Sequence, residues 1–401
     1  MFWSRIIRTV FARLRCAPQA RRTLALSLAL GLQLMQLQKS MAENHVDYRY
    51  EDYSEANGRM RVQTQALDFG YQIHPSVELQ GELVYDALSG ATPYGALPTP
   101  GSRAWLTEIH PDERKAGNIS AAVRWGANTT TPQFAYSLEN DYESFGVSLN
   151  HAIDFNEKNT TFTMGVAGTH DNIFANTLSR TEHKDSVDVL LGVTQLLGSR
   201  TVLTANFTYG VANGYLNDPY KGVHIPFYPD PGAADPLVVT FGESRPDHRD
   251  KQIGFLSLTH FVTPWNGSAE VSYRLYHDSY GILSHTLTLN WFQKIGKHVV
   301  VSPMFRFTDQ SAADFYMTQL PGDPGGDPPY YAPLPEHYSS DYRLASLQTF
   351  TYGLSMTWKI KDRVSIDLGY KRYEMFGTDG VTSSQLFPVA NVFSVGARLW
   401  F

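Results

Sequence analysis

Two groups of residues carry side chains that could bind a metal or move a proton. His110-Pro111-Asp112-Glu113-Arg114 sets one imidazole beside two carboxylates, and His170-Asp171 is followed by His183 and Asp185. Metal coordination needs donors held at fixed distances, which nearness along a connecting segment does not supply. Both groups are read as solvated charge, and neither a metal nor a cofactor is expected. His170, His277 and Asp278 could serve as acid–base groups at a rim. No Ser–His–Asp pattern accompanies them, and no Gly-rich loop follows a strand to open a helix. No catalytic residue is assigned.

Other charges follow a pattern. Asp47, Arg49, Glu78, Glu82, Arg124, Asp188, Glu270, Arg274, Arg306, Asp367, Lys371 and Arg398 each stand opposite an apolar stripe in an alternating segment. Successive side chains of a strand point to opposite faces, so each segment has one apolar and one polar side. The last segment is typical: Phe393, Val395, Ala397, Leu399 and Phe401 share one face, and Ser394, Gly396, Arg398 and Trp400 the other. A Lys or Arg on a lipid-facing midplane would cost about 2–4 kcal/mol. Confinement of charge to the other face predicts a lining that is wet or densely ion-paired. Asp367 and Lys371 share a strand face, and Arg398 and Arg49 follow on the next two strands of a closed order, so an ion-pair ladder is expected across the closure seam. Such charges could filter a solute or simply stiffen the wall.

Comparable segments recur from Val46/Tyr48/Tyr50 to Val364/Ile366/Leu368/Tyr370, and about sixteen are counted. Each is near the length of a tilted membrane strand. Between 252 and 262, Ile253/Phe255 and Leu256/Leu258 fall on different faces, which allows for a bulge. Short turns are expected at His74–Ser76, Asn128–Thr131, Asn156–Asn159, Leu197–Arg200, Thr263–Asn266, Lys294–Lys297 and Lys361–Arg363. Long links lie between them at 87–117, 169–184, 212–250, 309–344 and 377–387. The expected fold is all-β: a single transmembrane antiparallel up-and-down β-barrel of about sixteen strands, spanning 43–401. Barrels carry short turns on the periplasmic side and longer external loops, so both termini are placed in the periplasm. Residues 216–248 and 315–338 combine many prolines with Tyr and Phe, and could cap the barrel or fold into its mouth.

The ends of the chain agree with this reading. Six arginines precede an apolar run from Leu24 to Leu37, and Ser40-Met41-Ala42 offers a cleavage site. Residues 1–42 are read as a cleaved signal peptide, too short in its apolar run to span a bilayer. The only cysteine, Cys16, falls within it, which leaves the mature chain without a thiol, a disulfide or a cysteine metal site. Seven of the 33 basic residues and none of the 39 acidic ones lie before residue 43. The mature chain is therefore strongly acidic, which argues against nucleic acid as a partner. Mean hydropathy is only −0.28 although aromatics reach 13%. A barrel reconciles the two, because only alternate residues meet lipid and aromatics gather at the interfaces.

The terminal Ser394-Val395-Gly396-Ala397-Arg398-Leu399-Trp400-Phe401 resembles the assembly signal of bacterial outer-membrane proteins, with Gly396, Leu399 and Phe401 at its marked positions. This implies outer-membrane lipid and the barrel-assembly machinery as partners. Tyr48-Arg49-Tyr50-Glu51-Asp52-Tyr53, Val84-Tyr85-Asp86-Ala87-Leu88-Ser89-Gly90-Ala91-Thr92-Pro93 and Glu139-Asn140-Asp141-Tyr142-Glu143-Ser144 resemble a bacterial outer-membrane family catalogued as domain of unknown function 3570. The resemblance implies a barrel and brings no substrate or catalytic residue. It also implies a setting near periplasmic redox proteins. The leading expectation for function is a porin-like channel or conduit for small solutes. The alternative is a non-conducting barrel that holds an envelope partner, such as a redox protein. A rim hydrolase is the third.

Overall fold

The computed structural model describes residues 44–97, 101–227, 237–322 and 333–401. The expected signal peptide and Cys16 lie outside the described residues. Alternation and β-branched or aromatic content make the rest of the chain strand-forming. The strands are β1 (His45–Glu55), β2 (Arg61–His74), β3 (Val77–Gly95), β4 (Trp105–Trp125), β5 (Asn128–Leu138), β6 (Tyr142–Phe155), β7 (Thr160–Ile173), β8 (Glu182–Gly198) and β9 (Thr201–Gly214). There follow β10 (Gly222–Phe227), β11 (Leu237–Gly242), β12 (His248–Val262), β13 (Gly267–Asp278), β14 (Leu283–Ile295), β15 (Val299–Gln310), β16 (Leu347–Lys361), β17 (Val364–Gly377) and β18 (Val389–Trp400).

Sixteen of these form one closed antiparallel barrel, while β10 and β11 pair only with each other in a separate hairpin. Closure is made by β1 against β18, with His45 opposite Trp400, Arg49 opposite Gly396 and Glu55 opposite Ala390. Pairing the first strand with the last leaves no free sheet edge, as residence in lipid demands.

Along the barrel strands one face is buried and the other presents large apolar side chains outward. Val147, Leu149, Val166, Leu191, Phe207, Leu256 and Leu354 are all exposed on the outer surface. So much outward apolar area fits a protein whose solvent on that side is hydrocarbon. Trp125, Phe155, Trp265 and Trp358 extend this surface at the end of the barrel that carries the short turns. The pairing of β12 with both neighbours runs without a register shift, so no bulge exists there. Ile253 and Phe255 face inward, and Leu256 and Leu258 face out.

The short turns are close to those expected, with one correction. The turn between β4 and β5 is Gly126-Ala127, and Asn128–Thr131 already belongs to β5. Gly126 has φ +58, a left-handed conformation open to glycine at little cost, which places the reversal two residues earlier. A second correction concerns 87–117, read as a long link. Its residues mostly continue β3 and β4, and only 96–104 connect them. Start of β1 and end of β18 lie together at the short-turn end.

Candidate functional site: the barrel lumen and its capped mouth

The twelve charges named from the sequence lie on the more buried face of their strands. Most are paired within the wall. Arg398 donates through Nε to Asp47 Oδ2 at 3.0 Å, joining the last strand to the first. Arg124 Nη2 reaches Glu78 Oε2 at 2.5 Å. Glu82 accepts from Asn118 Nδ2 at 3.1 Å, and Glu270 from Asn290 Nδ2 at 3.1 Å. Arg306 donates to Thr288 at 3.1 Å, and the Arg274 guanidinium lies 5.6 Å from the Tyr276 ring centroid. Asp367 accepts from Thr357. Gly210 has no side chain where Asp188 and the Lys251 stem lie across it, so that these two meet over its backbone.

The expected seam ladder is present in part. Arg398–Asp47 spans the seam directly, while Arg49 and Lys371 act on Glu51 through the lumen, and Arg49 on Asp367. Four cations (Arg49, Arg274, Arg306 and Lys371) therefore belong to β1, β13, β15 and β17, on one side of the closed order. The inner face of β4 to β8 is different: between its rims it carries Ser, Thr, Asn, Gln, Gly and Ala with Leu190, and its one charge is Asp188, opposite Ala167.

Sequence reasoning missed a second tier of inward charge nearer the long-link end. Arg114–Asp86 at 2.7 Å, Lys184–Asp171 at 3.0 Å and Arg249–Asp278 with Nε at 2.9 Å are all wall pairs. At least one partner of each falls in a segment taken for a link, but the two-residue alternation runs on through those segments and was the available signal.

Over the mouth at that end packs a folded cap whose described parts are 215–227, 237–247, 311–322, 333–346 and 378–388. Tyr53, Met60 and Val62 from β1, β2 and their turn pack with Tyr342, Leu347, Tyr373, Met375, Leu386 and Phe387. Tyr280, Ile282 and Leu344 enclose Phe315, whose ring stands edge-on to Tyr280 at 4.9 Å. Phe315, in a segment read as an external link, is thus a core residue of the cap. Val223 and Ile225 of β10 pack with Leu320 and Tyr338, joining the two proline-rich links.

Between these clusters lies a group of three carboxylates and three cations. Arg343 Nε donates to both oxygens of Asp341, at 2.8 and 2.7 Å, and its Nη2 to Asp218. Arg245 Nη2 donates to Asp341 at 2.8 Å and to Glu243 at 2.9 Å. Lys221 donates to the Pro93 carbonyl oxygen, tying the cap to the β3 extension. Burial would raise the Asp341 carboxyl, but Arg343 and Arg245 outweigh it and hold the group well below the usual carboxylate range. Asp218 is lowered in the same way, burial being overcome by Arg343 and then Lys221. His224 of β10 goes the other way from an ordinary imidazole: burial lowers it to about 4. Its Nδ1 lies 2.9 Å from Thr240 Oγ1, and its Nε2 has no partner.

The two groups of possible metal ligands or acid–base residues are split by the barrel walls. His170, His183 and Asp185 are exposed on the outer surface, with His170 Nδ1 2.8 Å from Asp185 Oδ1, whereas Asp171 is buried inside. His277 is exposed and Asp278 buried, on opposite faces of β13. The His110 side chain lies outside the described residues. Asp112, Glu139 and Asp141 do bring carboxylate oxygens within 4.8 Å of one another, and Tyr220 of the cap donates to Asp141.

Among solved structures, the chain is similar to CdiB from Acinetobacter baumannii, with TM-score 0.51 and 10% identity, covering 90% of this chain and 61% of that one. It is also similar to a bacterial polysaccharide outer membrane secretin (TM-score 0.47, 9% identity, covering 90% and 100%). OmpT, an outer membrane protein of Vibrio cholerae, matches with TM-score 0.41 and 9% identity, covering 91% and 100%. At such identities the likeness concerns the fold, which is that of outer-membrane β-barrels. The chain spans about three-fifths of CdiB. No curated protein matches the sequence. A family model does match, over residues 22–180 and 174–389, and together with the closed barrel it makes this chain a member of the DUF3570 family, proteins of unknown function.

Proposed function

We propose that this protein is an outer-membrane conduit for small solutes whose external mouth is closed at rest by a folded cap. The observation behind this reading is the combination of a closed sixteen-strand barrel, a polar and charged inner face, and loops folded over one end only. A barrel of this size can enclose an aqueous passage. The short-turn end, with both chain ends, faces the periplasm, and the cap faces outside. Asp47, Arg49, Glu78, Glu82, Arg124, Asp188, Glu270, Arg274, Arg306, Asp367, Lys371 and Arg398 line the passage. Gly396, Leu399 and Phe401 are read by the barrel-assembly machinery during insertion.

Planar-bilayer recording tests this. The wild type is expected to conduct rarely, and a variant lacking 311–341 to conduct persistently. A cap-deleted barrel that folds yet stays silent would refute the conduit.

One observation favours the alternative of a scaffold barrel. Leu237, Val238 and Val239 of β11 are exposed above the barrel, an apolar strand open to a partner. Co-purification of one defined envelope protein, lost on Val238→Lys, together with a silent cap-deleted barrel, would establish that reading instead.

A further inference from the structure

Two neighbouring turns at the short-turn end concentrate basic residues. Residues 294–298 carry Lys294, Lys297 and His298, and residues 359–363 carry Lys359, Lys361 and Arg363 with a single acid, Asp362. The turns lie side by side: Val299 of β15 stands opposite Trp358 of β16, and the Lys359 amide donates to the His298 carbonyl oxygen at 2.7 Å. The Arg363 carbonyl oxygen accepts from the Trp400 amide at 2.9 Å, which extends the patch to the end of β18. Lys294, Lys297, Lys361 and Arg363 are all exposed. Asp362 is fully exposed and reaches Lys359 only at 3.9 Å, so it neutralises little. The other turns of this rim differ. Gly126-Ala127 and Thr263–Asn266 hold no charge, Glu157 and Lys158 offset each other, and Arg200 stands alone in its turn. A strongly basic patch therefore stands out on a chain whose mature part is acidic.

The depth of the patch selects its occupant. Ile295 is 54% exposed and Trp358 47%, both on the lipid-facing side of their strands, with Ile360 exposed beside them. Lys297 follows Ile295 by two residues, Lys361 follows Ile360 directly, and Arg363 precedes Val364 of β17. One or two residues of strand advance about 3–7 Å. The polar layer on each side of the hydrocarbon is about 5–8 Å thick. Lys297, Lys361 and Arg363 thus stand at headgroup depth, next to side chains that continue into the acyl region. Long basic stems suit this position, with their apolar part along the hydrocarbon and the charge in the polar layer. A soluble acidic protein would use the charges and leave Ile295, Trp358 and Ile360 without a role. A lipid with an anionic headgroup meets both.

We infer that the β14–β17 quarter of this rim is a binding site for an anionic phospholipid. Lys297, Lys361 and Arg363 hold its phosphate, and Ile295, Trp358 and Ile360 pack against its chains. The inference rests on the orientation given above for the leaflet involved, the periplasmic one, and not on the passage of solute.

The test uses the mature barrel folded in a neutral detergent. It is mixed with equal amounts of phosphatidylglycerol and phosphatidylcholine, and the lipid that stays bound is counted by native mass spectrometry. The wild type should retain phosphatidylglycerol in preference. A basic residue near an anionic surface contributes about fivefold, so Lys297→Gln/Lys361→Gln/Arg363→Gln should lower retention about ten- to a hundredfold. Lys158→Gln/Arg200→Gln, elsewhere on the rim, should leave it unchanged. Heat-modifiable migration checks folding. Should the triple variant fail there, Lys361→Gln alone should still lower retention about fivefold. Glycerol 3-phosphate, which offers the phosphate without chains, should not displace the lipid at equal concentration. Equal retention of the two lipids, unchanged retention in the variants, an equal loss in the control, or displacement by glycerol 3-phosphate would overturn the site. So would salt-sensitive capture of polyglutamate in place of lipid, which would assign the patch to an acidic protein. Orientation is scored separately. A Lys297→Cys variant should escape a bulky, membrane-impermeant maleimide in intact cells; labelling there would refute the periplasmic placement while lipid retention in detergent still decides the site.

Discussion

Asp341→Asn is the sharpest probe of the cap. Asp341 is 2% exposed and accepts hydrogen bonds from both Arg245 and Arg343. The cap cluster contains three carboxylates (Asp218, Glu243, Asp341) and three cations (Lys221, Arg245, Arg343), so it is balanced. Asparagine keeps the shape but leaves one buried positive charge without compensation. Breaking a buried ionic group by removing one partner costs about 3–5 kcal/mol. If that cost falls on the closed cap, the opening equilibrium shifts by roughly two to three and a half orders of magnitude, at about 1.4 kcal/mol per tenfold. Asp341 lies outside the barrel strands, so assembly and heat-modifiable migration should be unchanged. Bilayer recording should show a large rise in open time, and hydrogen exchange should rise in 215–227 and 311–322. A variant whose current and exchange both equal those of the wild type would show that the cluster does not hold the mouth shut.

Acid should loosen the cap through His224 and not through Asp218 or Asp341. Asp218 and Asp341 have folded values below the usual range, so their contribution is full above about pH 4 and is lost only as pH falls through those lowered values. His224 is held neutral to about 4, whereas an opened cap would let it take a proton near 6.5. Closure should therefore weaken as pH falls below about 6.5, by about 2 kcal/mol at pH 5, and His224→Gln should flatten the response of open time to pH. Arg398→Met should destabilise the barrel by about 3–5 kcal/mol by stranding Asp47 at the seam, and the Asp47→Asn/Arg398→Met pair should recover part of that loss in unfolding followed by gel shift. Phe401→Ala should lower the amount of barrel in the outer membrane by more than the roughly 1.5–3 kcal/mol of one aromatic's burial would explain, as read by quantitative membrane fractionation. A methyl on Gly396 would meet Tyr48 O at 3.4 Å and Asp367 Cβ at 3.6 Å, ordinary contacts, so Gly396→Ala should leave folded stability intact. A lower yield of that variant in cells, with unchanged stability in detergent, would assign the glycine to assembly.

What the chain determined by itself is the two-sidedness of its strands. A two-residue period is local, and the price of charge against lipid is high at each position, so Arg398, Asp367 and Glu270 could be assigned to the inner face from sequence alone. The strand count, the closure of β1 on β18 and most turns followed from the same period and from turn residues. Strand ends were less legible: at 87–117 the alternation continues past the lipid, and no sequence signal marks where hydrocarbon stops. Three features needed the tertiary structure. Pairing of Arg398 with Asp47 rather than with Asp367 depends on register across the seam, which is set by all sixteen strands together. The cap brings Asp218 to Arg343 across 125 residues, and its prolines and tyrosines indicated only that something could be buried. Lys297 and Lys361 share a patch only because β15 pairs with β16 and sets their turns side by side, which neither turn reports on its own. Local periodicity decides which way a side chain points; only the closed barrel decides what it meets there.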